Sequence, residues 1–290
     1  MLKASGLRKS FGDFVAVHEI SFEVESGHVL GIIGENGAGK STTLKMLTGL
    51  LRPDRGEVYY DGVNLFENLR EVRRRIGYLP EYDALYDNLS AREYLMVFAE
   101  IYGIDRDEAG ERIDKLLSSL KLPDDRPVGS FSKGMKRKLS IARTLVHDPD
   151  YLIYDEPTSG LDPSTSLFVT EFIKDLSRRG KTVVFSAHNM FYVETACDTL
   201  LVIKGGRALY FGGLDNLRDA MKRYVIVFEE NGVERELVTG SVDDVNRAVR
   251  EIVESGGRIV RIDTQTPRLE EIYFTLTEGK SIMKGGMNFH

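Results

Sequence analysis

Short unbroken apolar runs alternate along the first two thirds of the chain with segments whose apolar residues recur every three to four positions. Val29 to Ile33, Tyr151 to Tyr154 and Thr182 to Ala187 are such runs, too short for helices and free of polar alternation, which predicts buried parallel strands in an α/β fold. Near the start, Ser21-Phe22-Glu23-Val24-Glu25 alternates in the manner of a half-exposed antiparallel strand, so the sheet is expected to be mixed. Leu200 to Phe211, broken at Gly205-Gly206, reads as a hairpin. Between these lies a helical block. Ser90 with Glu93 three residues on has the form of a capping box, and Tyr94, Phe98, Ile101 and Tyr102 then fall on one stripe. Ile113, Leu116, Leu117 and Leu120 repeat the pattern in a second helix ended by Pro123, so helices over 90–128 form an insert that spans about 82–135.

After the Gly212-Gly213 break the pattern changes. Tyr224 to Glu230 and Val233 to Val238 flank Asn231-Gly232, a strong two-residue turn signal. A Ser241-capped helix with Val242, Val245, Val249 and Ile252 on one side follows, then a strand at Arg258 to Asp263 and a helix opened by Thr266-Pro267. The organisation read from these signals is a first domain over 1–213, a linker over 214–223, a small α+β domain over 224–280 and a loose tail over 281–290.

With 290 residues, 42% hydrophobic and 29% charged, the chain has the balance of an ordinary globular protein and enough length for a large core, so disordered and fibrous classes are excluded. A lone cysteine, Cys197, rules out an internal disulfide framework and suits a reducing compartment. No stretch approaches the roughly 20 apolar residues of a bilayer span, and Met1 to Ile20 has no apolar signal core, so a membrane role is expected to come through a partner. The net charge of -6 gives sequence-independent nucleic-acid binding no support, and no nucleic-acid partner is expected.

Chemistry enters at Gly34-Glu35-Asn36-Gly37-Ala38-Gly39-Lys40-Ser41, a GxxxxGK[ST] loop between the Val29 to Ile33 strand and a helix over 41–50. Its glycines let successive amides turn onto a β-phosphate, the helix terminus adds partial positive charge, Lys40 reaches β and γ oxygens, and Ser41 can ligate Mg²⁺. A second acidic site is offered by Tyr151 to Tyr154, a strand ending in Asp155-Glu156. Asp155 is then the candidate for the Mg²⁺ shell and Glu156 for the proton acceptor from an attacking water. Ser132-Lys133-Gly134-Met135 stands between the two motifs as a capped helix entry, a common local feature when taken alone.

The ordered series is not common. P-loop, Ser132-Lys133-Gly134-Met135, Asp155-Glu156-Pro157, Ser159-Gly160-Leu161-Asp162 and His188 together closely resemble the nucleotide-binding subunit of ATP-binding-cassette (ABC) transporters, over Met1 to about Gly213. The resemblance implies a P-loop NTPase of ABC type, with a mixed-sheet core, an antiparallel β subdomain and an α-helical insert, beside the small C-terminal α+β domain. It implies ATP and Mg²⁺ as cofactors, with Phe11 stacking on adenine, Gly34 to Thr42 (Asn36, Gly37, Ala38, Gly39, Lys40 and Ser41 among them) as the phosphate loop, Asp155 as the metal-shell acid, Glu156 as the general base, and His188 as the switch on the γ-phosphate. Asp162 matches the loop between subunits, although Asp162-Pro163 is also a good N-cap and N1 pair. Two subunits then bind head to tail, with Ser132 and Gly134 of one closing the ATP site of the other. The cleft beside Pro80 to Asn88, with Tyr82, Leu85 and Tyr86, would receive an integral membrane permease at the cytoplasmic face of the membrane.

Two departures and one further similarity refine this reading. The signature carries Phe131, Lys133 and Met135 where the commonest form has Leu, Gly and Gln, a variant that resembles the drug- and sodium-exporter branch with separate permease subunits. Glu81 stands where glutamine is usual, and is expected to keep a metal and coupling role. The segment Thr266 to Phe274 is similar to the helix that ends the C-terminal extension of that branch, where regulation, dimer contact and simple covering of apolar surface all remain open. The rival within the same chemistry is an ABC ATPase acting on ribosomes or DNA. A single cassette and a short insert count against it.

Overall fold

The computed structural model describes residues 1–278, so the expected tail over 281–290 lies outside the described residues. By contacts the chain divides into two units that meet between Phe211 and Gly212.

The first unit opens with an antiparallel sheet. β1 (Leu2–Phe11) pairs with β2 (Phe14–Val24) on one side and β4 (Arg55–Tyr60) on the other, and β5 (Val63–Asn64) extends it, in the order β2-β1-β4-β5. The second sheet contains β3 (Val29–Ile33), β6 (Ile76–Leu79), β7 (Tyr151–Tyr154), β8 (Thr182–Ala187), β9 (Thr199–Lys204) and β10 (Arg207–Gly213), in the order β10-β9-β3-β8-β7-β6. From β9 to β6 every pairing is parallel. The apolar runs are these strands because every side chain of β3, β7 and β8 is buried. That leaves no solvent face for polar alternation to mark. Helix α1 (Lys40–Leu47) packs between the sheets, and Leu2, Leu7, Ile32, Leu44, Tyr60 and Tyr151 share one core. Tyr60 meets Tyr151 edge-on at 4.6 Å, and its hydroxyl donates to Leu47 O at 2.8 Å. Wholly buried residues such as Ile32 and Leu44 are each worth about 2 kcal/mol over exposure.

The short α2 (Leu69–Arg73) precedes β6, and between β6 and β7 the chain passes through α3 (Ala91–Tyr102), α4 (Arg106–Leu120) and α5 (Lys133–Leu145). The capping box forms as predicted, with Ser90 Oγ accepting from Glu93 N and the Glu93 carboxylate accepting from Ser90 N. The stripes differ in detail. Ala91, Tyr94, Leu95 and Ala99 form the buried face of α3, whereas Ile101 is 70% exposed. In α4, Ile113, Leu117 and Leu120 are buried and Leu116 only half-buried. Helix α4 stops two residues before Pro123, where Lys121 turns left-handed with φ 55. Helices α6 (Pro163–Arg178) and α7 (Met190–Ala196) flank β8 in sequence.

The second unit begins with a difference. Residues 214–223, read from the sequence as a linker, contain helix α8 (Leu214–Ala220), whose Leu214 and Leu217 are buried. Two buried leucines three apart in a seven-residue helix give too short a period to separate from a connector. Strands β11 (Arg223–Glu230), β12 (Val233–Thr239) and β13 (Arg258–Gln265) form an antiparallel sheet in the order β12-β11-β13, with α9 (Val242–Glu254) and α10 (Leu269–Glu278). Asn231 and Gly232 both take positive φ, 55 and 73, and close the Glu230↔Val233 hairpin. Val245, Ala248 and Ile252 face Ile226 in the core, while Val242 is 55% exposed and takes no part in that face.

Candidate functional site

The parallel registers place the carboxyl ends of β3, β8 and β7 side by side: Ile33 pairs with Ala187, and Tyr154 with Phe185. The residues that follow these ends are Gly34, His188 and Asp155. Distant parts of the sequence therefore converge on one rim, where ligands of open α/β sheets bind.

Backbone geometry makes the phosphate loop glycine-dependent. Gly39 has φ 104 and serves as N-cap of α1, and a Cβ there would lie 2.6 Å from Ala16 O. A Cβ on Gly34 would lie 2.3 Å from Ile203 O. Both distances are closer than any side chain tolerates, so the loop can press onto its neighbours only with glycine. Lys40 is 6% exposed; its Nζ donates to Gly34 O at 2.8 Å and lies 3.7 Å from Glu156 Oε1. The cation is thus held against the glycine loop and against the acid that follows β7.

Ser186 organises the two acids. Its Oγ donates to Asp155 Oδ1 at 2.6 Å and accepts from Glu156 N at 2.9 Å. Glu156 has φ 48, a left-handed conformation that costs a non-glycine residue about 1 kcal/mol or more. This turn directs its carboxylate to His188, whose Nδ1 donates to Glu156 Oε2 at 2.7 Å. Glu156 is 7% exposed, while the His188 side chain is 61% exposed, so the histidine reaches out from a buried anchor.

These groups border a cleft of about 730 Å³. Phe11, Gly34, Asn36, Gly37, Gly39 and Lys40 line it, as do Ser41, Thr42, Glu81, Glu156 and His188. Ala38 is buried in the loop, and Asp155, 2% exposed, is absent from the lining. Ser132, Gly134 and Asp162 do not border this cleft either. Ser132 caps α5, accepting from Met135 N at 3.3 Å. Asp162 caps α6, accepting from Thr165 N at 3.0 Å and Ser164 Oγ at 2.6 Å, which holds its carboxyl well below the usual range. Oxygen is the donor type throughout Ser41, Asp155 and Glu81, and among the described residues no group of three His, Cys, Asp or Glu side chains could hold a metal by itself. Such a sparse oxygen set fits Mg²⁺, which keeps waters and takes further ligands from nucleotide phosphates.

The family model described as ABC transporter matches residues 17–159. ABC transporter ATP-binding protein NatA of Bacillus subtilis (strain 168) is 43% identical over 208 residues, covering 71% of this chain and 85% of that protein. The chain belongs to the ABC transporter family. Nod factor export ATP-binding protein I of Bradyrhizobium diazoefficiens is 34% identical over 294 residues, with 94% of each chain covered. Among solved structures, an ATP-binding subunit of an ABC transporter superposes with a TM-score of 0.72 at 28% identity, covering 96% of this chain and 99% of that one. A dimeric, post-hydrolysis ATP-binding cassette bound to ADP and Pi superposes with a TM-score of 0.67 at 25% identity, covering 74% and 99%.

As an ABC ATPase, the protein hydrolyses ATP on a P-loop α/β fold. No described helix is long and apolar enough to cross a membrane. Two features of the site, Phe14 and Arg137, escape a reading of the sequence. Phe14 lines the cleft beside Phe11, and the two rings are 63% and 51% exposed. Ser159 borders it as well. Arg137 of α5 lies 9% exposed beneath the acids, where burial lowers its pKa. The two exposed aromatics pair across the tight Gly12-Asp13 turn at the rim of the cleft. Stacking is worth about 1–3 kcal/mol per base. Phe11→Ala with Phe14→Ala is expected to raise the KM for ATP about tenfold or more and to leave kcat within about twofold. Steady-state kinetics check this.

Proposed function

We propose that this protein is the ATP-hydrolysing subunit of an exporter: two copies close head to tail around two MgATP and drive a separate permease embedded in the membrane. One observation carries the reading. The cleft holds the phosphate loop, both acids' neighbourhood and His188, whereas Ser132 and Gly134, the family's phosphate-contacting signature, stand outside it on the N-terminus of α5. A second copy brings them to the open side, where helix-terminal amides favour an anion.

In this reading Phe11 and Phe14 hold adenine. The amides of Gly34, Asn36, Gly37, Ala38 and Gly39 cradle the β-phosphate with Thr42 at the loop's end, and Lys40 bridges β and γ. Ser41, Asp155 and Glu81 would hold Mg²⁺, which when bound neutralises charge on the β and γ oxygens. Glu156 accepts the proton of the attacking water, and His188, fixed through Nδ1, points its other nitrogen at the γ-phosphate. Asp162 sits on the loop that faces the second copy.

Export is supported by the name of the relative that matches over 94% of each chain, a Nod factor export ATP-binding protein. A docking place for the permease is supported by Pro80 to Asn88. Tyr82 and Tyr86 are 85% and 60% exposed, and Tyr82 and Leu85 line a second cavity of about 590 Å³. The protein would then work at the cytoplasmic face of the membrane. Tagged protein purified from gently solubilised membranes of its host is expected to bring a polytopic membrane protein in near-stoichiometric amount. Recovery with ribosomes or DNA instead would overturn the transporter reading and leave the ATPase.

A further inference from the structure

All five N–H donors of one buried guanidinium end on the backbone of the two segments that carry the site's carboxylates. Arg137 donates through Nη1 to Pro80 O at 2.7 Å and Glu81 O at 3.2 Å. Nη2 reaches Asp155 O at 2.8 Å and Glu156 O at 2.9 Å, and Nε reaches Pro157 O at 3.0 Å. A guanidinium has five donors in a rigid planar fork, so the set is saturated. Arg137 makes no ion pair within 4 Å among the described residues, and a buried charge whose hydrogen bonds all go to carbonyls is costly for stability alone.

The connectivity gives that cost a use. Pro80-Glu81 follows β6 and Asp155 to Pro157 follows β7, so the fork ties two strand ends to α5. The same helix begins at Ser132 to Gly134, about 5–8 Å along its axis from Arg137. We propose that Arg137 couples the two nucleotide sites of the dimer: movement of α5 as its first residues engage the nucleotide held by the second copy passes through Arg137 to Glu81 and Glu156 of the first. This inference rests on the head-to-tail reading above. Because every donor is committed, α5 cannot slide by about 1 Å against the strand ends without breaking bonds or carrying the carbonyls with it. Arg137 touches no nucleotide and acts as a positioning residue.

Lysine keeps the charge but has three donors and no fork, so Arg137→Lys in the full-length chain is the direct test, with Arg137→Gln as a second variant should lysine not fold. The wild type is expected to hydrolyse MgATP with a Hill coefficient above one. In Arg137→Lys the Hill coefficient falls to one and kcat drops about ten- to hundredfold, the scale of a 1 Å misplacement. The Kd of the monomer for a fluorescent ATP analogue stays within about twofold. An unchanged Hill coefficient overturns the proposal, whatever happens to kcat or the melting temperature. A wild-type chain that hydrolyses without cooperativity and stays monomeric in MgATP overturns the head-to-tail reading, and the coupling with it.

Discussion

Glu156→Gln is expected to lower ATP turnover by about 10³-fold while MgATP binding survives, because the amide keeps the shape of the side chain and loses its basicity. Geometry gives this change its size. The carboxylate is fixed on two sides, 2.7 Å from His188 Nδ1 and 3.7 Å from Lys40 Nζ, by a backbone turned to φ 48. A group preorganised in this way contributes its full proton-accepting power, and glutamine in the same place contributes none. Phosphate release and the affinity for a fluorescent ATP analogue, measured on the same preparation, separate the two effects. Turnover within about tenfold of wild type would place the proton acceptor elsewhere.

Gly134→Asp is expected to abolish turnover with as little harm to the cleft that binds ATP. Gly134 borders no part of that cleft, and a Cβ there would meet Thr165 Cγ2 at 3.0 Å, a contact relieved by a shift of a few tenths of an ångström. An acid in the first turn of a helix is favourable for the helix itself, by about 0.3–1 kcal/mol. What it opposes is a phosphate approaching the helix terminus, where the like charge costs several kcal/mol in a closed interface. Nucleotide affinity of the monomer should stay within about twofold, and turnover should fall at least about a hundredfold. Equal loss of both would mean that the signature serves its own cleft.

The strands of the core could be read from the sequence because parallel strands covered on both faces leave unbroken apolar runs, and Val29 to Ile33, Tyr151 to Tyr154 and Thr182 to Ala187 match β3, β7 and β8 residue for residue. Caps were equally readable. Ser90, Asp162 and Ser241 all accept the amide bonds their side chains suggest, since capping is decided within four residues. Helix faces were less so. Ile101 and Val242 fit an apolar period and yet face solvent, because a stripe wider than the groove it packs into leaves its margin exposed. Motif spacing pointed to Lys40, Glu156 and His188, which the sheet does bring within contact. It could not point to Phe14, which reaches the cleft only through the turn at Gly12-Asp13, nor to Arg137, whose position in a basic run reads as a solvated charge. Its burial depends on carbonyls at Pro80 and Pro157, 57 and 20 residues away.

The head-to-tail site is the central claim, and mixing two inactive chains tests it most directly. Lys40→Ala removes the phosphate cation of its own cleft, and Gly134→Asp disables the signature offered to the other. Each alone should be inactive. If one subunit's signature completes the other's cleft, a heterodimer of the two has one intact site. Random association then restores ATP turnover to roughly a quarter of the wild-type level. A mixture that forms heterodimers and remains inactive would contradict a site shared between two copies.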